Sequence, residues 1–263
     1  MAETALYNKI GVDYNETRRA DEFLTERFRA FLSPVKGENY LDVGCGTGNY
    51  TCALSGEEYQ FYGVDLSETM LEKARRRNCR AIWKNASAED LPFENALFAG
   101  ALATLTIHHW KDLKKAFREI YRVLKPNGRF VLFTSFPEQM EGYWLNHYFP
   151  KMMRASIEQM PAFSVIEKTL KSAGFAIENT ENYFVRDDLQ DHFLYCGKNR
   201  PEFYLREDIR KGISSFSALA NKTEVEKGLL KLSEDIEKGK IFETIENYRN
   251  DKGDYVFSAA CKV

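Results

Sequence analysis

The stretch Leu41-Asp42-Val43-Gly44-Cys45-Gly46-Thr47-Gly48-Asn49-Tyr50 carries an apolar strand straight into a glycine-rich turn and then into a helix. Glycine adopts dihedrals closed to other residues and lets backbone approach a ligand closely. In an open α/β sheet, ligands sit beyond the carboxyl ends of the strands, where such a turn emerges. The next apolar run ends in Gly63-Val64-Asp65, which places a carboxylate about 20 residues after the turn, the position from which an acid holds a ribose diol. Turn and acid together predict a nucleoside site.

The rest of the chain fits an α/β frame. YLDVG, FYGVD, CRAIW, FAGALATL and RFVLF are short apolar runs with little polar alternation, the pattern of strands buried on both faces of a parallel sheet. Between them YTCALSG, SETMLEKARRR and DLKKAFREIYRVL place apolar residues at helical spacing. This alternation predicts a doubly wound, mostly parallel sheet. Ser67 is the expected N-cap of the second helix, with Glu68 favouring its start. Lys125-Pro126-Asn127-Gly128 is expected to end the third helix and turn the chain into a strand. Beyond Phe136 a helical excursion rich in aromatics and methionine reaches Pro161. A helix ended by Gly174 and a strand from Phe175 then return to the core. Residues from about Asp188 to Gly253 form a second, mainly helical excursion, and DYVFSAACKV is the seventh strand. The reading is a single domain over 1–263: a core of about 36–136, 162–187 and 254–263, with cap elements over about 1–32, 137–161 and 188–253. A helix over roughly Thr17 to Leu32 is expected to cover the core.

The spacing Gly44-x-Gly46-x-Gly48 lacks the form expected for a pyrophosphate, but NAD and S-adenosylmethionine both carry a ribose, so turn and acid alone leave the cofactor open. Four segments in order, LDVGCGTG, GVDLSETMLEKAR, ASAEDLPF and EIYRVLKPNGRFVLF, closely resemble the class I S-adenosylmethionine-dependent methyltransferases, especially the small-molecule group called methyltransferase type 11. The resemblance covers about Asn39 to Phe136. It implies a Rossmann-like sheet with helical insertions after strand five and before the last strand, and S-adenosyl-L-methionine as cofactor. It implies Gly44, Cys45, Gly46 and Gly48 along the methionine part, Asp42 orienting that end, and Asp65 accepting the ribose hydroxyls. Leu66 then lies on the adenine face, and Ser87 and Ala88 meet its edge. Tyr14-Asn15-Glu16-Thr17-Arg18-Arg19 resembles the family's Tyr-x-x-x-Arg segment. This implies Tyr14 at the methyl end and Arg18 or Arg19 on the cofactor carboxylate.

A sulfonium methyl is already activated, so transfer needs chiefly an aligned acceptor lone pair, and a base only for a protonated acceptor. His108 and His109, where the fourth strand's loop emerges, are the candidate catalytic pair; loop packing is the alternative. Tyr143, Trp144 and His147 in the first excursion are candidate acceptor contacts, since aromatics with a polar handle suit an apolar, orienting pocket. His192, Tyr195 and Cys196 are expected to pack.

Lys and Arg number 37 against 39 Asp and Glu, a net charge of -2, which gives no general attraction for nucleic acid or anionic lipid. Arg75, Arg76, Arg77 and Arg80 form the one tight basic cluster, at a helix end where the dipole favours cations. The five cysteines are scattered, suggesting neither a disulfide framework nor a metal site. With no leader-like N-terminus and no membrane-spanning run, a reduced, cytoplasmic protein is expected. The functional expectation is direct in-line methyl transfer to a small-molecule acceptor. A tRNA wobble-base methyltransferase and a non-catalytic cofactor-binding partner protein are the alternatives; oligomeric state and acceptor atom are left open.

Overall fold

Seven strands form one sheet in the order β3-β2-β1-β4-β5-β7-β6. In the computed structural model, which describes residues 18–263, they are β1 (Asn39–Val43), β2 (Gln60–Asp65), β3 (Ala81–Asn85), β4 (Phe98–Thr104), β5 (Leu124–Thr134), β6 (Phe175–Tyr183) and β7 (Tyr255–Lys262). β1 to β5 pair in parallel, and β7 runs antiparallel between β5 and β6. From β1 the chain winds out through β2 to β3, then crosses back to place β4 on β1's other side. That reversal opens a crevice at the carboxyl ends of β1 and β4.

The helices are α1 (Glu22–Leu32), α2 (Asn49–Leu54), α3 (Glu68–Arg75), α4 (Leu113–Val123), α5 (Pro137–Met140), α6 (Leu145–Tyr148), α7 (Pro150–Glu158), α8 (Phe163–Ala173), α9 (Glu207–Lys211), α10 (Lys222–Glu237) and α11 (Ile241–Asn247). Strand alternation sends neighbours to opposite faces. Tyr40, Leu102 and Val131 pack with Leu24 and Phe28 of α1 and the aromatics of the excursions. Leu41, Ala103 and Leu132 pack with Phe117 and Ile120 of α4 and Ile166 and Leu170 of α8. Coverage on both faces explains why β1 and β4 are almost wholly buried, whereas the edge strands β3 and β6 carry exposed residues. Ser67 caps α3 as expected, its Oγ accepting from Met70 N at 3.3 Å, and Gly174 ends α8 at φ 105°.

Three expectations are corrected. The first helix starts at Glu22, because Asp21 takes the cap and accepts from Leu24 N at 3.0 Å; Arg18 to Asp21 lead in without helix. Lys125-Pro126-Asn127-Gly128 lies within β5, where the pairing slips between Phe98↔Leu124 and Gly100↔Arg129. Asn127 there takes a left-handed φ of 61°, so the turn residues form an irregularity inside the strand rather than a link before it. Finally, Cys52 of α2 and Cys79, just beyond α3, form a disulfide across 27 residues. Two neighbouring βα units bring them together in space, which a search for closely spaced pairs does not detect. Among the described residues no helix is long and apolar enough to cross a membrane, and no three metal-ligating side chains converge.

Candidate active site

The loops at the strand ends and the two excursions enclose a cavity of about 790 Å³. The glycine turn forms its floor. Gly44, Gly46 and Gly48 all have left-handed φ angles, 77°, 54° and 73°, but space divides them. A Cβ on Gly44 falls 2.1 Å from Thr106 Oγ1, and one on Gly48 falls 2.3 Å from Trp83, whereas one on Gly46 meets nothing within 4 Å. Gly44 and Gly48 thus let the turn pack against its neighbours, and Gly46 keeps the cavity clear. Gly44, Cys45 and Gly46 line the cavity; Gly48, as the N-cap of α2, does not.

Two carboxylates stand beside the turn. Asp65 Oδ2 accepts from Gly46 N and its Oδ1 from Ser67 N, both at 2.8 Å. Each oxygen keeps a further lone pair. Burial raises the Asp65 pKa, opposed by these amides. Asp42 Oδ2 accepts from Thr51 Oγ1 at 2.5 Å, while its buried Oδ1 has no partner among the described residues. Burial pushes the Asp42 pKa up to about 7, with the Thr51 bond opposing and the Asp65 charge adding. Leu66, Ser87 and Ala88 line the rim above β2 and β3, and Leu66 is 48% exposed. Arg77 ties the turn from outside, donating from Nε to Thr47 O at 2.6 Å and from Nη2 to Asn49 Oδ1.

The opposite wall holds a residue the sequence did not reveal. Asp191, 1% exposed, accepts from Arg18 Nε and Nη2 and from Tyr50 OH, the last at 3.1 Å. This cluster joins the second excursion to α2 and to the chain entering α1. Arg18 lines the cavity; Arg19 is exposed and does not, and Tyr14 lies outside the described residues. Asp191 bears no motif; only the fold, joining positions 141 residues apart, reveals it.

After β4, Leu105 takes a left-handed φ of 51°, a strained conformation of the kind that collects at functional sites. The following 3₁₀ turn places His108 and His109 on the cavity, ring centroids 3.9 Å apart. His108 Nδ1 is buried without a partner among the described residues. Burial, then His109, holds the His108 pKa well below the usual value, so its imidazole is neutral.

Of the expected acceptor contacts, Tyr143 lines the cavity. Trp144 and His147 do not, and this corrects the expectation. Trp144 is packed in the core with Nε1 donating to Lys198 O at 2.9 Å. His147 turns outward to Lys231, 2.7 Å from its Nε2, because the chain at α6 presents only one side of that aromatic run to the cavity. His192, Tyr195 and Cys196 also lie off the cavity, whereas Asp191, Phe193 and Leu194 line it. The basic cluster is partly neutralised, with Arg75 paired to Glu68 and Arg80 3.3 Å from Glu57.

With this geometry in place, known proteins give a consistent picture. A family model described as a methyltransferase domain matches residues 41–132. The chain is 39% identical over 116 residues to an O-methyltransferase of Penicillium expansum, covering 41% of this chain and 42% of that protein. It is 30% identical over 204 residues to the demethylmenaquinone methyltransferase of Lactococcus lactis, covering 65% and 80% respectively. A crystal structure assigned as a methyltransferase of an antibiotic biosynthesis pathway in Anabaena variabilis matches with a TM-score of 0.82 and 31% identity, over 92% of this chain and 98% of that one. The family-matched stretch holds part of β1, all of β2 to β4 and most of β5; the excursions lie outside it.

Proposed function

The chain belongs to the S-adenosylmethionine-dependent methyltransferases, and from that premise we propose that the cavity holds S-adenosylmethionine against the strand ends and a small-molecule acceptor against the two excursions. The observation that carries this reading is one cavity shared by the glycine turn, Asp65 and a separate wall built by the excursions.

The residues present fit the cofactor. Gly46 leaves open space, Asp42 Oδ1 is a buried acceptor with no donor among the described residues, and Asp65 keeps lone pairs beyond its two amide bonds. In this proposal Asp65 takes the ribose hydroxyls, while Leu66, Ser87 and Ala88 flank the adenine. Asp42 takes the ammonium end, with Gly44 and Cys45 along the methionine chain. Arg18, held by Asp191, supplies the positive charge facing the carboxylate. S-adenosylmethionine supplies a methyl group on a sulfonium, activated for in-line displacement by a lone pair. The enclosing walls align the acceptor. His109 removes or directs the proton of a protonated acceptor, and neutral His108 orients beside it. A nucleic-acid acceptor is disfavoured by the net charge of -2 and the paired Arg75 and Arg80. The cytoplasm is the proposed location, a compartment whose thiol pool would open Cys52–Cys79.

Two variants test the roles. Asp65→Ala is expected to weaken S-adenosylhomocysteine binding by about 1–3 kcal/mol through lost hydrogen bonds; unchanged affinity in a folded variant removes Asp65 from the site. His109→Ala is expected to lower turnover far more than cofactor affinity, and equal turnover returns His109 to packing.

A further inference from the structure

The wall facing the strand ends differs in chemistry from the rest of the cavity. Its apolar lining includes Met140, Tyr143, Phe193, Ile213, Leu219 and Tyr255, and its polar groups Ser135, Ser156, Gln159, Ser214 and Ser215 are all neutral. Among the described residues one ion pair enters this part, Asp191 with Arg18, whose charges compensate each other. Behind Tyr143 and Tyr255, Lys198 and Asp254 neutralise each other at 2.7 Å, off the cavity. The lysines that do line the cavity, Lys111 and Lys115, stand beyond the His109 loop beside Asp112. Among the described residues no uncompensated cation stands against the excursions, so a carboxylate or phosphate placed there gives up its hydration without a partner, which is strongly unfavourable.

A polar handle is built into this apolar wall. Ser156 of α7 and Ser215 of the second excursion are 4% and 7% exposed. Ser156 Oγ lies 2.9 Å from Ser215 Oγ and 2.9 Å from Met152 O. Ser156 has one hydroxyl proton to share between those two acceptors. When it donates to Ser215, the Ser215 hydroxyl keeps its own proton for a ligand; when it donates to Met152 O, Ser215 keeps a lone pair. Either way the pair bridges the two excursions and offers hydrogen bonding to a neutral oxygen.

We propose that the acceptor is an uncharged, mainly apolar molecule whose hydroxyl or carbonyl hydrogen-bonds Ser215, and that this wall rejects acceptors bearing a carboxylate or phosphate there. The proposal rests on reading the cavity as a methyltransferase site, and its test separates the two. The full-length protein saturated with S-adenosylhomocysteine is titrated at neutral pH with 2-naphthol, 2-naphthoate and 2-naphthyl phosphate, which share a ring system and differ in charge. 2-Naphthol is expected to bind at least about tenfold more tightly than either anion. Ser215→Ala is expected to weaken 2-naphthol about fivefold, the loss of one hydrogen bond, leave S-adenosylhomocysteine affinity unaltered, and be rescued by Ser215→Thr. Equal or tighter binding of an anion, no binding of all three probes, or an unaffected Ser215→Ala overturns the proposal while S-adenosylhomocysteine still binds. Failure of S-adenosylhomocysteine itself to bind overturns the underlying methyltransferase reading instead.

Discussion

Replacing Gly46 with alanine separates what the cavity needs from what the fold needs. Gly46 sits at φ 54°, and a Cβ there meets no atom within 4 Å. The folded variant therefore bears only the left-handed penalty, about 1–2 kcal/mol, offset by about 0.4–1 kcal/mol from the stiffer unfolded chain. The remainder, about 1 kcal/mol, lowers Tm by roughly 2–4 °C in a chain of this size. Gly44→Ala carries the same backbone penalty and adds a Cβ 2.1 Å from Thr106 Oγ1. Displacing that packed side chain costs about 1–3 kcal/mol more. Thermal unfolding and calorimetric titration with S-adenosylhomocysteine read the two effects separately. Gly46→Ala is expected to stay near the parent Tm yet lose at least about tenfold in affinity, because its methyl group enters the cofactor's space. Gly44→Ala is expected to be clearly the less stable of the two. A Gly46→Ala protein that binds within about twofold of the parent, or unfolds as early as Gly44→Ala, refutes this division of the glycines.

Asp42 makes stability pH-dependent in an unusual direction. Burial pushes its pKa from 3.8 up to about 7, so over that window the native state holds a proton that the unfolded chain has released. Its contribution is complete below the lower value and is lost as pH rises through the upper one. Asp42→Asn is expected to flatten that part of the urea-midpoint profile of the cofactor-free protein, and an unchanged slope removes Asp42 as its source. Reducing Cys52–Cys79, which closes a 27-residue separation, is expected to cost about 3.5 kcal/mol on the loop-entropy account. A denaturation midpoint identical with and without reductant contradicts that contribution.

The parts of this molecule legible in the sequence are those whose physics is local. The turn from β1 into α2 announces itself because left-handed backbone needs glycine, and Asp65 because it ends an apolar run. Burial on both faces shows in β4 as a nearly unbroken apolar stretch and in β1 as an apolar run broken by Asp42. What the sequence hid depends on contacts between distant segments. Asp191 looks like any loop acid until Arg18 and Tyr50 close on it, and Cys79 looks isolated until α2 packs beside its turn. Trp144 and His147 misled for a related reason. An aromatic run shows that a segment packs, but which side meets the cavity depends on the short helices around Pro150. Ser156 and Ser215 each appear ordinary, and only their meeting across two excursions makes a polar handle.

The assignment of S-adenosylmethionine to the strand-end loops rests on the glycine turn and Asp65. Calorimetric titration of the purified protein with S-adenosylmethionine and S-adenosylhomocysteine, with NAD as control, tests it most directly. Roughly micromolar binding of both sulfur nucleosides and none of NAD is the predicted result; binding of NAD with neither sulfur nucleoside bound contradicts it.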